Sequence, residues 1–285
     1  MLELDRHLAG HLNEHPYDAA FPIAHGAVGE DGSLQGLLEL LGLPYVGSNV
    51  LASALAMHKP SAKVFFERAG LPIAKGTRVE PGNAATSAKA LLEELGNALV
   101  VKPAASGSAV GVAKLESATA SNVERALLEA WNAGGDALVE QMLKGREVTC
   151  GVLDLVGEER RALPPTEVLV DGDPFYDFRA RYGKGRSQHV CPAELGNQFE
   201  RVQDAAIRAH AALGCRDLSR VDFVVAENGF IVLEVNTLPG FTATSLFPEA
   251  AGIAGIPIAA LCARLVESAI ARGATRRFAT QALPT

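Results

Sequence analysis

The chain has 285 residues, enough for one large domain or two to three small ones, and its 48% hydrophobic and 21% charged content is that of an ordinary globular protein. A net charge of −7 argues against a nucleic-acid partner, because phosphate-binding surfaces carry a basic surplus, while local basic clusters stay compatible with a single nucleotide. No apolar run approaches the ~20 residues that span a bilayer and the N-terminus has no apolar signal segment, so the expectation is a cytoplasmic protein with no membrane partner.

In chain order, Leu4, Leu8 and Leu12 stand at helical spacing. "YDAAFPIAHGAVGEDG" is a short apolar run ending in a glycine-rich loop, and "SLQGLLELLGLP" reads as a helix stopped by Gly42 and Pro44. With "YVGS" as a short strand, residues 1–55 predict a small α/β unit with a parallel sheet. A second unit, 56–145, holds the helix "KPSAKVFFERAGLP" with Pro60 in its first turn, and then two strands in "NALVVKPAASGSAVGVAKLES". The helix "VERALLEAWNAG" and the strand "ALVEQML" complete it. The third unit, 146–285, opens with the strand "REVTCGVLDL" and passes through the charged segment "DGDPFYDFRARYGKGRSQHV". A helix "FERVQDAAIRAHAALG", the strands "SRVDFVVA" and "FIVLEVN" and a last helix "PIAALCARLVESAI" follow. Cys150, Cys191, Cys215 and Cys262 lie far apart without a CxxC pair, which predicts reduced, buried thiols.

Three places carry chemistry. In "FIVLEVN" side chains alternate, so Glu234 and Asn236 share a face of an apolar strand, where polar groups need partners. The preceding strand carries Asp222, and the turn decides whether the three meet. A two-residue Asn-Gly turn puts Asp222 opposite Val235; a three-residue loop with a left-handed Gly229 puts it opposite Glu234, on the face shared with Asn236. Oxygens of that kind suit a hard cation such as Mg²⁺ held beside phosphates; the plainer reading is an ion pair with Arg220. Second, Lys102 ends an apolar strand directly before "PAASGSAVG", whose small residues let a backbone close on a phosphate. Third, "VEQMLKGRE" offers the backbone of Gln141 and Leu143 to an adenine edge and a carboxylate, Glu140 or Glu147, to a ribose; the alternative is exposed acids beside Lys144 and Arg146.

Together, "HGAVGEDGSLQGLLELLGLPYVGSNVLASALAMHK", "VVKPAASGSAVGV", "VEQMLKGRE", "FYDFRARY" and "SRVDF…LEVNTLPGFTATSL" resemble the D-alanine–D-alanine ligases of the ATP-grasp superfamily, from about Leu4 to Ile270. The resemblance implies an α/β (α+β) ATP-grasp fold of three subdomains, the first truncated, with ATP between the central and C-terminal ones. It implies phosphate-binding by Lys59 and Lys102, an adenine side at Glu140, Gln141 and Leu143, a ribose ligand at Glu147, and a nucleotide contact from Arg181. Asp222, Glu234 and Asn236 match the ligands of Mg²⁺ (or Mn²⁺). Arg220 matches an arginine facing the reacting carboxyl, and Gly240 an amide that stabilises charge at the tetrahedral centre. His25 matches a histidine near the first amino acid, Ser245 and Leu246 the pocket of the second, and Ser108 and Tyr182 two members of a hydrogen-bonded trio.

The implied reaction joins two D-alanines through an acyl phosphate for peptidoglycan synthesis, in a protein that resembles homodimers. Open alternatives are a ligase for other small amino acids and a nucleotide-binding paralogue without turnover. The family's leading strand, turn and helix, about 30 residues, have no counterpart here, which leaves the trio's glutamate unassigned and predicts an exposed sheet edge. His58 stands where an acid usually precedes the lysine, Ser106 where the phosphate loop has an acid, and Arg181 where a lysine precedes the tyrosine.

Overall fold

The computed structural model describes residues 2–107, 111–170, 187–242 and 244–274. At the N-terminus, α1 (Leu8–Glu14) and α2 (Ser33–Leu40) pack around Tyr45, with Leu34 and Leu38 as the buried stripe of α2. The expected parallel sheet is reduced, among the described residues, to one bridge between Ala20 and Tyr45. Ala20 N–H donates to Pro44 O and Val46 N–H to Ala20 O, but the next rung would need an N–H from Pro22, which has none.

Helix α3 (Val50–Met57) leads into α4 (Lys59–Arg68) through His58. A four-stranded antiparallel sheet follows, built from β1 (Gly76–Val79), β2 (Leu99–Pro103), β3 (Ala113–Leu115) and β4 (Ala137–Gln141) in the order β1-β4-β2-β3. Helices α5 (Ala84–Leu95) and α6 (Ala120–Gly134) bury Leu91, Leu95, Val123 and Leu127 against Leu99, Val101 and Val139. Thr119 and Asn122 form a capping box that starts α6.

The larger sheet is also antiparallel and comprises β5 (Arg146–Asp154), β6 (Arg161–Ala162), β7 (Thr166–Val170), β8 (Ser187–Val190), β9 (Asp217–Ala226) and β10 (Gly229–Asn236). Its order is β10-β9-β5-β7-β8, with β6 beside β5. Helices cover one face along its length and the other at the Leu153 and Leu218 end. Val148, Cys150, Val221 and Phe223 face α4 and α7 (Phe199–Ala212), where Phe66, Val202 and Ala206 close the core. Leu153 and Leu218 face α8 (Leu246–Ile253) and α9 (Ile258–Arg272) and share a cluster with Phe247, Leu261, Leu265 and Val46. Gly151 has no room for a side chain: a Cβ there would lie 2.8 Å from Leu163 and 2.9 Å from the Phe247 ring.

The β9–β10 hairpin corrects the expected turn. Ala226 pairs with Gly229 around a two-residue Glu227-Asn228 turn, and Gly229 is not left-handed. A bulge between Val232 and Glu234 then shifts the register, so that Asp222 faces Glu234 after all. The apolar residues require this bulge. Phe230 and Val232 are buried in the core shared with α7, and so is Val235. Without the extra residue, Glu234 and Asn236 would continue the Phe230–Val232 face into that core.

Cys150 and Cys215 are buried, whereas Cys191 and Cys262 are part-exposed, so the expectation of four buried thiols holds for two; all four are free. Burial pushes the Cys215 thiol up to about 12 and Cys150 higher still. No single helix among the described residues is long and apolar enough to cross a membrane.

Candidate active site

The bulged hairpin presents Arg220 and Asp222 from β9 and Glu234 and Asn236 from β10 on one face, with Asp222 opposite Glu234 and Arg220 opposite Asn236. Arg220 forks onto Asp222, with Nε 2.8 Å from Oδ1 and Nη2 2.9 Å from Oδ2. Asn236 Oδ1 accepts the Leu238 N–H at 2.9 Å, which fixes its amide. The three oxygen-bearing side chains thus stand on one face, and Asp222 is also half of an ion pair with Arg220. Two carboxylates and a carboxamide oxygen are a hard donor set of the kind that suits Mg²⁺ together with phosphate oxygens; no group of three or more His, Cys, Asp or Glu side chains that could hold a metal ion by themselves stands among the described residues.

Lys59 reaches this face from the first turn of α4. Its Nζ lies 3.3 Å from Glu234 Oε2 and 2.6 Å from the Ser106 carbonyl, which puts the head of α4 between the carboxylates and the small-residue loop after β2. The Lys59 N–H donates to Ala104 O at 2.8 Å and ties the helix to that loop. His58 takes the place of the usual acid by capping: its Nδ1 accepts the Ser61 N–H at 3.3 Å. Burial, with Arg78 nearby, pushes the His58 imidazole below its ordinary value, toward the neutral form that can accept.

On the small sheet, Glu140 lies across from Val100, and Lys102 is two residues farther along on the same face. Glu140 is 2% exposed and contacts Lys102 through one carboxylate oxygen and Lys63, from α4, through the other. Burial drives the Glu140 carboxyl upward, but the Lys102 and Lys63 ammoniums outweigh it and hold it below the usual carboxylate range. Glu140 is thus not an exposed acid. Lys144 pairs with Glu116, Arg146 with Glu167, and Glu147 with Lys114 at 2.9 Å. The Gln141 N–H donates to Lys75 O at 2.8 Å and its side-chain amide to Leu95 O at 3.1 Å. The Leu143 side chain is exposed.

A third group gathers where the N-terminal unit meets α8. A Cβ on Gly240 would lie 2.8 Å from Ser245 Oγ and 4.0 Å from His25 Nε2, so these three residues adjoin. Ser245 stands at the N-cap of α8, its Oγ accepting the Thr242 N–H at 2.9 Å, and Leu246 is buried behind it. His25 Nδ1 is 3.9 Å from Glu30 Oε1, and Glu30 Oε2 accepts the Gly26 N–H at 2.5 Å while lying 3.4 Å from where a Gly107 Cβ would be. Sequence reasoning passed over Glu30 and Lys63. The signals were present: an acid inside "HGAVGEDG", and a lysine one helical turn after Lys59. Ser108, Arg181 and Tyr182 lie outside the described residues.

Residues 65–267 match the D-ala D-ala ligase C-terminus family and residues 4–48 the D-ala D-ala ligase N-terminus family. The chain is 44% identical over 259 residues to the D-alanine–D-alanine ligase of Desulfotalea psychrophila, covering 88% of this chain and 77% of that protein. To the ligase of the same name from Desulforudis audaxviator it is 42% identical over 270 residues, covering 94% and 86%. Among solved structures, the D-alanine–D-alanine ligase from Coxiella burnetii superposes with a TM-score of 0.77 at 32% identity, over 90% of this chain and 70% of that one. The VanG D-Ala:D-Ser ligase from Enterococcus faecalis gives the same TM-score and identity over 88% and 73%.

Proposed function

The chain belongs to the D-alanine–D-alanine ligase family, and we propose that it uses ATP to join two D-alanines into the dipeptide required for peptidoglycan. The observation that carries this reading is that Asp222, Glu234 and Asn236 share one strand face, and that Lys59 links Glu234 to the loop after Lys102.

A carboxylate is a poor electrophile, so amide synthesis begins by transferring the γ-phosphoryl group of ATP to the first D-alanine's carboxylate. The amine of the second then attacks that acyl phosphate, losing a proton, and inorganic phosphate leaves. Asp222, Glu234 and Asn236 would hold Mg²⁺, which would neutralise phosphate charge. Lys59, placed between Glu234 and the Ser106 carbonyl, is within reach of the same phosphates, and Lys102 approaches them from the end of β2. Arg220, fixed by its fork to Asp222, points its charge at the carboxyl that is being activated. The Gly240 amide, beside His25 and Ser245, lies where the tetrahedral carbon and the acceptor amine would meet. A cytoplasmic homodimer is the setting the family resemblance implies.

ADP release from Mg-ATP by the purified protein tests this, with D-alanine, D-serine and a panel of other D- and L-amino acids. Turnover dependent on D-alanine is expected, and Asp222→Ala is expected to lower it by at least about 100-fold. Full turnover in that variant would overturn the metal assignment. ATP binding without release by any amino acid would overturn the ligase reading, and release with a different acceptor alone would reassign the substrate.

A further inference from the structure

Among the described residues, the Lys63, Lys102 and Glu140 cluster is an unusual concentration of buried charge. The two lysines are each 7% exposed and Glu140 is 2% exposed. One carboxylate serves two ammoniums, one on each oxygen, so the cluster carries one surplus positive charge in a space nearly closed to water. A buried charge without a full counter-charge is expensive, and an incoming anion is what completes the balance. The surplus sits where an anion is needed: Lys102 directly precedes the loop whose Ser106 carbonyl is held by Lys59.

We propose that Lys63 is a positioning residue for nucleotide binding: by sharing the Glu140 carboxylate it leaves Lys102 free to serve the phosphates of ATP. A lone Lys102–Glu140 pair would be neutral, and a phosphate would compete with Glu140 for the ammonium. With Lys63 on the other oxygen, Glu140 holds Lys102 in place without cancelling it. Geometry makes this possible because Lys59 and Lys63 are four residues apart on α4 and share one helix face, while Ala62 and Phe66 root the helix in the core of the larger sheet. One rigid helix thus serves Glu234 and Glu140 at once. Burial lowers the Lys63 ammonium below its ordinary value against the pull of Glu140, which is the cost the arrangement bears.

This rests on the ATP-dependent reading above and deepens it. The test is calorimetric titration of adenosine, ADP and Mg-ATP into the whole protein and into K63M and K63R. K63M is expected to weaken ATP roughly tenfold, the loss of one nearby positive charge at partial burial, and to change adenosine by less than about twofold. K63R is expected to recover most of the ATP affinity. Equal weakening of adenosine and ATP would overturn the proposal in favour of a base-recognition or purely structural role. So would K63M binding ATP as the parent does. In both of those outcomes the parent still binds ATP and releases ADP, which separates failure of this inference from failure of the ligase reading; a parent that binds no ATP overturns both. If K63M does not fold, by circular dichroism, K63Q carries the same comparison.

Discussion

Replacing Asp217 by alanine should loosen the joint between the N-terminal unit and the rest of the protein. Asp217 is fully buried at the start of β9 with a left-handed φ of +61°. Its Oδ1 accepts from Arg272 Nη1 at 2.5 Å and Ser268 Oγ at 3.1 Å; Oδ2 accepts from Arg272 Nη2 at 2.9 Å and the Gly47 N–H at 2.8 Å. Arg272 also donates to Tyr45 O at 2.7 Å, and Arg216 donates to Gly47 O at 2.8 Å while lying 4.9 Å above the Tyr45 ring. One carboxylate therefore joins residues 45–47, β9 and the end of α9. Removing one partner of a buried ion pair costs about 3–5 kcal/mol, because the other charge stays behind unpaired. At about 2–4 °C per kcal/mol for a chain of this order, the melting temperature should fall on the order of 10 °C. Asp217→Gly gives an internal control: it loses the same bonds but is relieved of the left-handed strain, so it should be more stable than the alanine variant by about 1 kcal/mol. Differential scanning calorimetry reads both. A fall of under about 2 °C for the alanine variant, or a glycine variant no better than alanine, would refute the reasoning.

Gly240→Ala would push its methyl to 2.8 Å from Ser245 Oγ, displacing the hydroxyl that holds the Thr242 N–H. The expected result is a raised KM for the second amino acid, by about 10-fold or more for a displacement of this kind, with the KM for ATP unchanged; steady-state kinetics that vary each substrate with the other saturating decide it. Asp154 is held down to about 2 by the hydrogen bond from His210 and by Arg160. His210 is fully buried and pushed below its usual value by burial, so at pH 7 it is neutral, giving Nε2–H to Asp154 and accepting from Ser219 at Nδ1, 2.7 Å away. A depressed carboxyl stabilises the fold fully above its unfolded value near 3.9 and loses that contribution as pH falls through about 2. Asp154→Asn should therefore cost about 2 kcal/mol at pH 7, and the gap to the parent should close between about pH 4 and pH 2. Urea midpoints measured across that range check it; a gap that stays constant would point to the hydrogen bonds rather than the charge.

Much of the candidate site was legible because its chemistry is local. Glu234 and Asn236 share a face by strand periodicity, Lys59 heads a helix marked by Pro60, and Lys102 ends an apolar run before small residues. Where reading failed, a long-range partner decided the outcome. The Gln141 N–H groups go to Lys75, in the loop before β1, and to Leu95, at the end of α5, partners that its own segment does not reveal. For Glu140 the sequence left a nucleotide ligand and an exposed acid both open, and the exposed alternative falls because β2 and α4 close over it. Lys63 lay in plain view one turn from Lys59, but only the packing of α4 shows what it touches.

By itself, then, the sequence determined several helices and strands and the residue types of the candidate site, because apolar periodicity and turn chemistry act over a few neighbours; the helices Val50–Met57, Ala84–Leu95 and Leu246–Ile253 and the strand Gly76–Val79 were not read from it. The register of the β9–β10 hairpin was a tertiary matter. The turn alone would have set Asp222 against Leu233; the bulge exists because Phe230, Val232 and Val235 must all reach one core, and that core is made by α4 and α7. The parallel pairing at the N-terminus ended at a single bridge for want of one N–H at Pro22. Which charges meet in the buried interior likewise depends on elements distant in sequence, since Glu140 finds Lys63 across 77 positions only when the smaller sheet comes against α4.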